Sequence, residues 1–185
     1  MNMQNLAFFS MLLLFISLTD AIGSTSDIEL TGEHDRVLLS VPHNWMSYGQ
    51  VGTDPIAGVS LTPKPPPTED SERFPTASIR ADVESPGSCD SSDALVKSEI
   101  TEFDQRQVSK PESLVLQGKN ARIIHTQNDE ADYLHVCVTL HKDRIFFTLT
   151  VSTGSDAKFL RQFKKDFIWA LQHVSVASKD AASKR

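Results

Sequence analysis

Tyr133-Leu-His-Val-Cys-Val-Thr-Leu-His-Lys-Asp-Arg-Ile-Phe-Phe-Thr-Leu-Thr-Val-Ser152 is the stretch that decides the fold. Apolar and milder side chains alternate up to Leu140 and alternate again from Arg144 onward. That alternation is the mark of a half-buried strand, and the polar Lys142-Asp143 between the two runs reads as their turn. With this turn Leu140 faces Ile145, Val138 faces Phe147, Val136 faces Leu149 and Leu134 faces Val151. Every pair is apolar, and a slip of one residue would put all of them on the wrong face. The opposite face carries His135, Cys137, Thr139, Phe146, Thr148 and Thr150, a surface that a helix can cover.

Downstream, Ser155 stands as the cap of a helix expected to run to about Val174. Phe159, Phe163, Phe167 and Leu171 recur every four residues, joined by Leu160, Ile168 and Trp169, which makes one continuous apolar face. Such a stripe is a core face, roofing the apolar side of the hairpin. Lys158, Arg161, Lys164 and Lys165 occupy the rest of the helix surface. A solvated face accounts for them; Lys158, Arg161 and Lys165 are also candidate contacts for a partner. The tail 175–185 is small and polar and is expected to fray.

Upstream, residues 24–36 read as a flexible polar lead-in, and Val37–Val41 as a buried strand stopped by Pro42. The chain then turns through His43-Asn44-Trp45. Val59–Leu61 and Ala77–Val83 are further strands, separated by a proline-rich stretch at 62–70 that favours an extended surface loop. Val96, Ile100 and Phe103 fall on one face of a helix expected over 91–107. Leu114–Leu116 and Ala121–His125 are strands joined by a turn at 117–120. Antiparallel strands with helices packed on them make an α+β fold, a sheet sandwiched by helices (α/β/α), in a single domain over 37–174.

The composition agrees. The 185 residues are 39 % hydrophobic and 23 % charged, which excludes a wholly disordered chain. The net charge of −6 argues against a protein made for nucleic-acid phosphate or anionic lipid. Leu6–Leu18 is apolar but for two serines, too short for a comfortable membrane span, and ends in small residues around Ala21 and Gly23. Residues 1–23 therefore read as a signal peptide, and the mature chain as exported, periplasmic or secreted, with no stable membrane anchor. About 160 residues remain, enough for a sound core. Cys89 and Cys137 are a candidate disulfide in an oxidising compartment, with two half-buried thiols as the alternative.

Leu39-Ser-Val-Pro-His-Asn-Trp45 resembles the strand-Pro-x-x-Trp opening of the PsbP-like fold superfamily, as Leu116-Gln-Gly-Lys-Asn-Ala-Arg122 resembles its strand-Gly-x-x-Ala-strand element. The 133–152 hairpin and the Phe-rich helix resemble its C-terminal half. The superfamily includes thylakoid-lumen PsbP proteins, a Ran-binding nuclear import factor and exported bacterial proteins of the DcrB type. The resemblance covers roughly residues 36–175. It implies an α/β/α sandwich without catalytic activity that acts through a partner or ligand, here an exported member of the DcrB type. DcrB-type proteins are typically lipid-anchored, and no cysteine stands near the cleavage site to carry a lipid.

The catalytic inventory is nearly empty: no G-x-S-x-G elbow, H-E-x-x-H, C-x-x-C, phosphate-binding glycine loop or EF-hand loop occurs. Ser155-Asp-Ala-Lys158 matches S-x-x-K without its companion motifs, and a helix cap followed by a surface lysine explains it. His125 and His135 would hold a transition metal only if they faced each other across two strands, a register the apolar pattern does not fix; no metal and no cofactor are expected. Trp45 and Tyr48 form an aromatic cluster that either plugs one end of the sandwich or lines a recognition surface. The reading is an exported non-enzymatic binding protein for a protein or apolar partner, without nucleic acid. The alternative is a small periplasmic hydrolase or thiol enzyme, with Cys137 and His135 as its least unsuitable residues.

Overall fold

The alternating residues after Tyr133 form the expected hairpin in a computed structural model that describes residues 27–51, 58–64, 77–84, 94, 97, 98, 100, 101, 104–139, 141–152 and 157–179. Among these the strands are β1 (Asp27–Thr31), β2 (Asp35–Ser40), β3 (Trp45–Val51), β4 (Gly58–Pro63), β5 (Ala77–Glu84), β6 (Arg106–Gln107), β7 (Glu112–Leu116), β8 (Lys119–Gln127), β9 (Ala131–Thr139) and β10 (Arg144–Ser152). Helix α1 (Ala157–Gln172) and a last strand, β11 (Val174–Ser178), complete the chain.

β9 and β10 pair with Val138 opposite Ile145, Val136 opposite Phe147 and Leu134 opposite Leu149. The faces are as the alternation dictates, but the register is two residues away from the one that a tight Lys142-Asp143 turn gives. A two-residue shift keeps every side chain on its face, so hydrophobicity cannot choose between the two. The loop chooses: the backbone N–H groups of Lys142 and Asp143 donate to Asp35 Oδ2 at 2.7 and 2.9 Å, which draws the loop toward β2.

An eight-stranded antiparallel sheet runs β3-β4-β5-β10-β9-β8-β6, with β7 paired to β8, and a three-stranded sheet runs β1-β2-β11. The core lies on one face of the large sheet, beneath α1 and the small sheet. Phe147, Leu149, Ile79, Leu61, Phe167, Leu171, Leu30 and Leu39 are all fully buried in this one cluster. Among the described residues the cover over this core is one helix and a small sheet, and a helix-sheet-helix sandwich is not clearly drawn. The fold is a mostly antiparallel single domain.

Three further expectations are corrected. The lead-in is strand β1, with Leu30 fully buried. The tail, expected to fray, begins as β11: helix periodicity ends at Gln172, and Val174-Ser-Val176 alternate at a period of two, pairing with Leu39, Leu38 and Val37. The middle helix is shorter than 91–107. Residues 94, 97, 98, 100 and 101 are helical, but Asp104 adopts a left-handed φ of 51° and Arg106–Gln107 pair with β8. Val96 and Phe103 lie outside the described residues. β3 starts at Trp45, the last residue of the turn expected through His43-Asn44-Trp45, and a bulge between Ser47 and Gly49 breaks its alternation. The β7–β8 turn is as expected, with Gln117 and Gly118 at φ of 49° and 73°. Among the described residues no helix is long and apolar enough to cross a membrane.

Candidate functional site

The residues singled out in the sequence are not brought together. Trp45 is 3 % exposed; its ring meets Phe163 edge-on with centroids 5.7 Å apart, and its Nε1–H donates to Asp166 Oδ2 at 3.0 Å. A buried indole needs such a partner, so Trp45 closes one end of the core. Tyr48, three residues on, is 80 % exposed on β3, a terminal strand of the large sheet, with Met46 exposed nearby. Lys158, Arg161 and Lys165 are exposed along α1, while Lys164 pairs with Glu112 at 2.5 Å. Cys89 and Ser155 lie outside the described residues. Cys137 is buried opposite Phe146.

His135 sits at the centre of a sealed polar cluster. Its Nε2 is 2.9 Å from Thr126 Oγ1 and 3.2 Å from Gln105 Oε1, and its Nδ1 is 3.3 Å from Thr148 Oγ1. The Thr126 hydroxyl donates to Gln105 Oε1 at 2.5 Å. Burial, and secondarily the charge of His125, push the His135 imidazole down to about 4. On the same face of the sheet Arg80, opposite Thr148, pairs with Asp82 at 2.7 Å. Ile124 pairs with His135 and His125 with Leu134, so the two imidazoles lie on opposite faces of the sheet. His125 bonds Asp132 at 2.8 Å instead, and among the described residues no group of three metal-ligating side chains exists.

A depressed histidine pKa has a definite sign. Between about 4 and the unfolded value near 6.5 the unfolded chain binds the proton and the folded chain does not, so stability falls as pH drops through that window. The full difference is about 3 kcal/mol. Urea unfolding at pH 7 and pH 4.5 is expected to show this loss, and His135→Gln to reduce it; an unchanged pH slope in the variant would refute the assignment.

A second cluster, not found in the sequence, joins two distant segments, 34–35 and 141–143. Asp143 Oδ2 accepts the N–H groups of His34 (2.8 Å) and Asp35 (2.9 Å), while Asp35 Oδ2 accepts those of Lys142 and Asp143 in return. Both carboxylates are 1 % exposed. Burial pushes the Asp35 carboxyl up, but the two N–H donors, together with His141 Nδ1 at 3.1 Å, outweigh it and hold it below the ordinary aspartate range. Gly32 is required here: a methyl group would collide with Asp143 Oδ2 and stand 2.6 Å from Val83 Cγ1.

Beside this clamp a pocket of about 160 Å³ opens at the margin of the small sheet, lined by Gln117, His141, Val176 and Ser178. Ser178 pairs directly with Asp35, so the pocket lies against the buried carboxylate that orients His141. Gln117 Nε2–H donates to Val174 O across it. No sequence motif marks these residues: they are drawn from positions between 35 and 178 and meet through the pairing of β2 with β11 and the turns beside it.

No family model matches the chain, and no curated protein does. Among solved structures it is similar to PsbP (CyanoP) of the cyanobacterium Synechocystis, with 15 % identity over 85 % of this chain and 96 % of that one and a TM-score of 0.49. It is similar to a variant of the protein Mog1 (12 % identity, 85 % of this chain and 98 % of that one, TM-score 0.49). The Ran-binding protein Mog1p of Saccharomyces cerevisiae gives 12 % identity, 82 % and 96 % coverage and a TM-score of 0.46. Likeness at this level carries neither a partner nor an activity to this chain.

Proposed function

We propose that this chain is an exported, non-enzymatic binding protein for a protein or apolar partner. The observation that carries the reading is where the polar chemistry sits. His135 and Cys137 are buried within the sheet's second face, with His135 held neutral by burial, while among the described residues the large hydrophobic most freely offered to solvent is Tyr48 at the end strand β3. A thiol enzyme would need Cys137 to reach its substrate. An amphipathic aromatic on a terminal strand is instead a recognition group. Export rests on Leu6–Leu18 and the small residues that follow it.

A photo-crosslinking residue at position 48, introduced in producing cells, is expected to trap one major partner, and the same residue at the exposed loop position Glu130 to trap none. Absence of a crosslink at 48, with turnover of an ester or thioester panel that Cys137→Ala abolishes, would overturn the binding reading in favour of the thiol enzyme. Fractionation with and without residues 1–23 tests export: a chain that stays in the cytoplasm in both forms would refute it.

A further inference from the structure

We propose that the pocket beside His141 takes a primary ammonium group with a short run of methylenes behind it, the chemistry that a lysine side chain and a polyamine share. The inference rests on the binding reading above and gives it a chemically defined contact.

The direction of each hydrogen bond at the lining residues sets what can enter. His141 Nδ1 lies 3.1 Å from Asp35 Oδ1. A carboxylate only accepts, so in the neutral ring the hydrogen stands on Nδ1 and Nε2 is left as an acceptor. The His141 side chain is 55 % exposed, and its Nε2 has no partner among the described residues. Gln117 gives an Nε2 hydrogen to Val174 O, while its Oε1 has no partner among the described residues. Ser178 stands opposite Asp35 in the β2–β11 register, and its hydroxyl oxygen can accept as well. Two unused acceptors and a hydroxyl thus belong to the residues that line the pocket. They call for a donor.

Charge points the same way. Asp35 and Asp143 are both 1 % exposed, and the donors that reach them are four backbone N–H groups and the His141 ring. Among the described residues no lysine or arginine pairs with either carboxylate, and Asp143 Oδ1 has no hydrogen-bond partner. Lys179 directs its ammonium to the carbonyls of Gly32 and Glu33 instead. Buried carboxylates are ordinarily matched by a cation. Here the negative charge is open toward the pocket through His141, so an anion is repelled and a cation attracted, on a chain of net charge −6.

Size narrows the cation. A volume of about 160 Å³ holds roughly five waters and is well below the roughly 300 Å³ at which sites for whole small ligands begin. It suits one side chain. Methylenes can lie along Val176, with a compact three-donor head among the three polar groups. A guanidinium is planar and forked and suits paired carboxylate oxygens, which here are buried.

The test uses the full exported chain and blocked pentapeptides, Gly-Ser-Lys-Ser-Gly and the same sequence with acetyl-lysine or arginine at its centre, with spermidine as a free amine. Long-range proton–nitrogen NMR is expected to show the His141 Nε2 resonance moving saturably with the lysine peptide while Nδ1 stays. The acetyl-lysine peptide is expected to bind at least about tenfold more weakly. His141→Phe is expected to abolish binding. Ser178→Ala, which leaves the Asp35–Asp143 clamp untouched, is expected to weaken it about three- to tenfold. Spermidine binding with the peptide silent would assign the pocket to a free polyamine and keep the ammonium chemistry. Equal binding of the lysine and acetyl-lysine peptides, tighter binding of the arginine peptide, or no saturable shift with any amine at millimolar concentration each overturns the proposal. If the position-48 crosslink persists while the amines fail, the pocket falls and the binding reading stands; loss of that crosslink with ammonium binding intact falls on the Tyr48 surface alone.

Discussion

Asp143→Ala lowers the stability of the fold by about 3–5 kcal/mol, and the loss is concentrated in the N-terminal hairpin. Asp143 Oδ2 is the acceptor for the N–H groups of His34 and Asp35, and the site is closed to water. Removing the carboxylate orphans both donors. It also frees the loop whose own N–H groups hold Asp35, so the two halves of the clamp fail together. Asp143→Asn keeps one acceptor oxygen and is expected to cost about 1–2 kcal/mol. Urea unfolding measures the difference, and hydrogen exchange places it, with β1 and β2 opening before β9 and β10. A loss under about 1 kcal/mol for the alanine variant would show that the clamp contributes little. The lowered Asp35 pKa gives the pH sign: its contribution is present above the unfolded value near 3.8 and disappears as pH falls through the lower folded value. Acid therefore weakens the molecule twice, first through His135 and then through Asp35.

Trp45→Ala costs about 3–5 kcal/mol as well, by a different route. The indole fills the end of the core against Phe163 and pairs with Asp166. Trp45→Phe retains most of the ring and isolates the indole N–H bond accepted by Asp166, with an expected cost of about 1–2 kcal/mol. The double variant Trp45→Phe with Asp166→Ala is expected to fall short of the sum of the two single losses, since each removes the same bond. If Trp45→Ala left stability within about 1 kcal/mol of the parent while reducing crosslinking at position 48, Trp45 would be a recognition residue after all.

The hairpin, the Phe-rich helix and the strands around Val37, Val59 and Ile79 were legible because each writes its own period into the sequence. Registers and edges were not. Hydrophobicity repeats every two residues along a strand, so it is blind to the two-residue shift that the Asp35 clamp imposes on β9 and β10. β11 is only five residues and half polar, and it becomes a strand because β2 offers it Leu39 and Val37 as neighbours. The edge pocket was invisible for a related reason. Gln117 and His141 stand in two separate turns and Ser178 at the end of β11, and nothing local distinguishes His141 from the other five histidines. Tyr48 was legible as an aromatic but not as an exposed one, because the bulge beside it hides the strand.

The placement of β2 between β1 and β11 sets an order of events for a chain made from its N-terminus. Its central strand lacks a neighbour on one side until residues 174–178 leave the ribosome, and Phe163 and Phe167 arrive only shortly before them. Local helices and the hairpin can form before then, but closure of the small sheet waits for residues 174–178, as the large sequence separation of the β2–β11 contact demands. Until then the nascent molecule carries β2 with one of its edges unsatisfied.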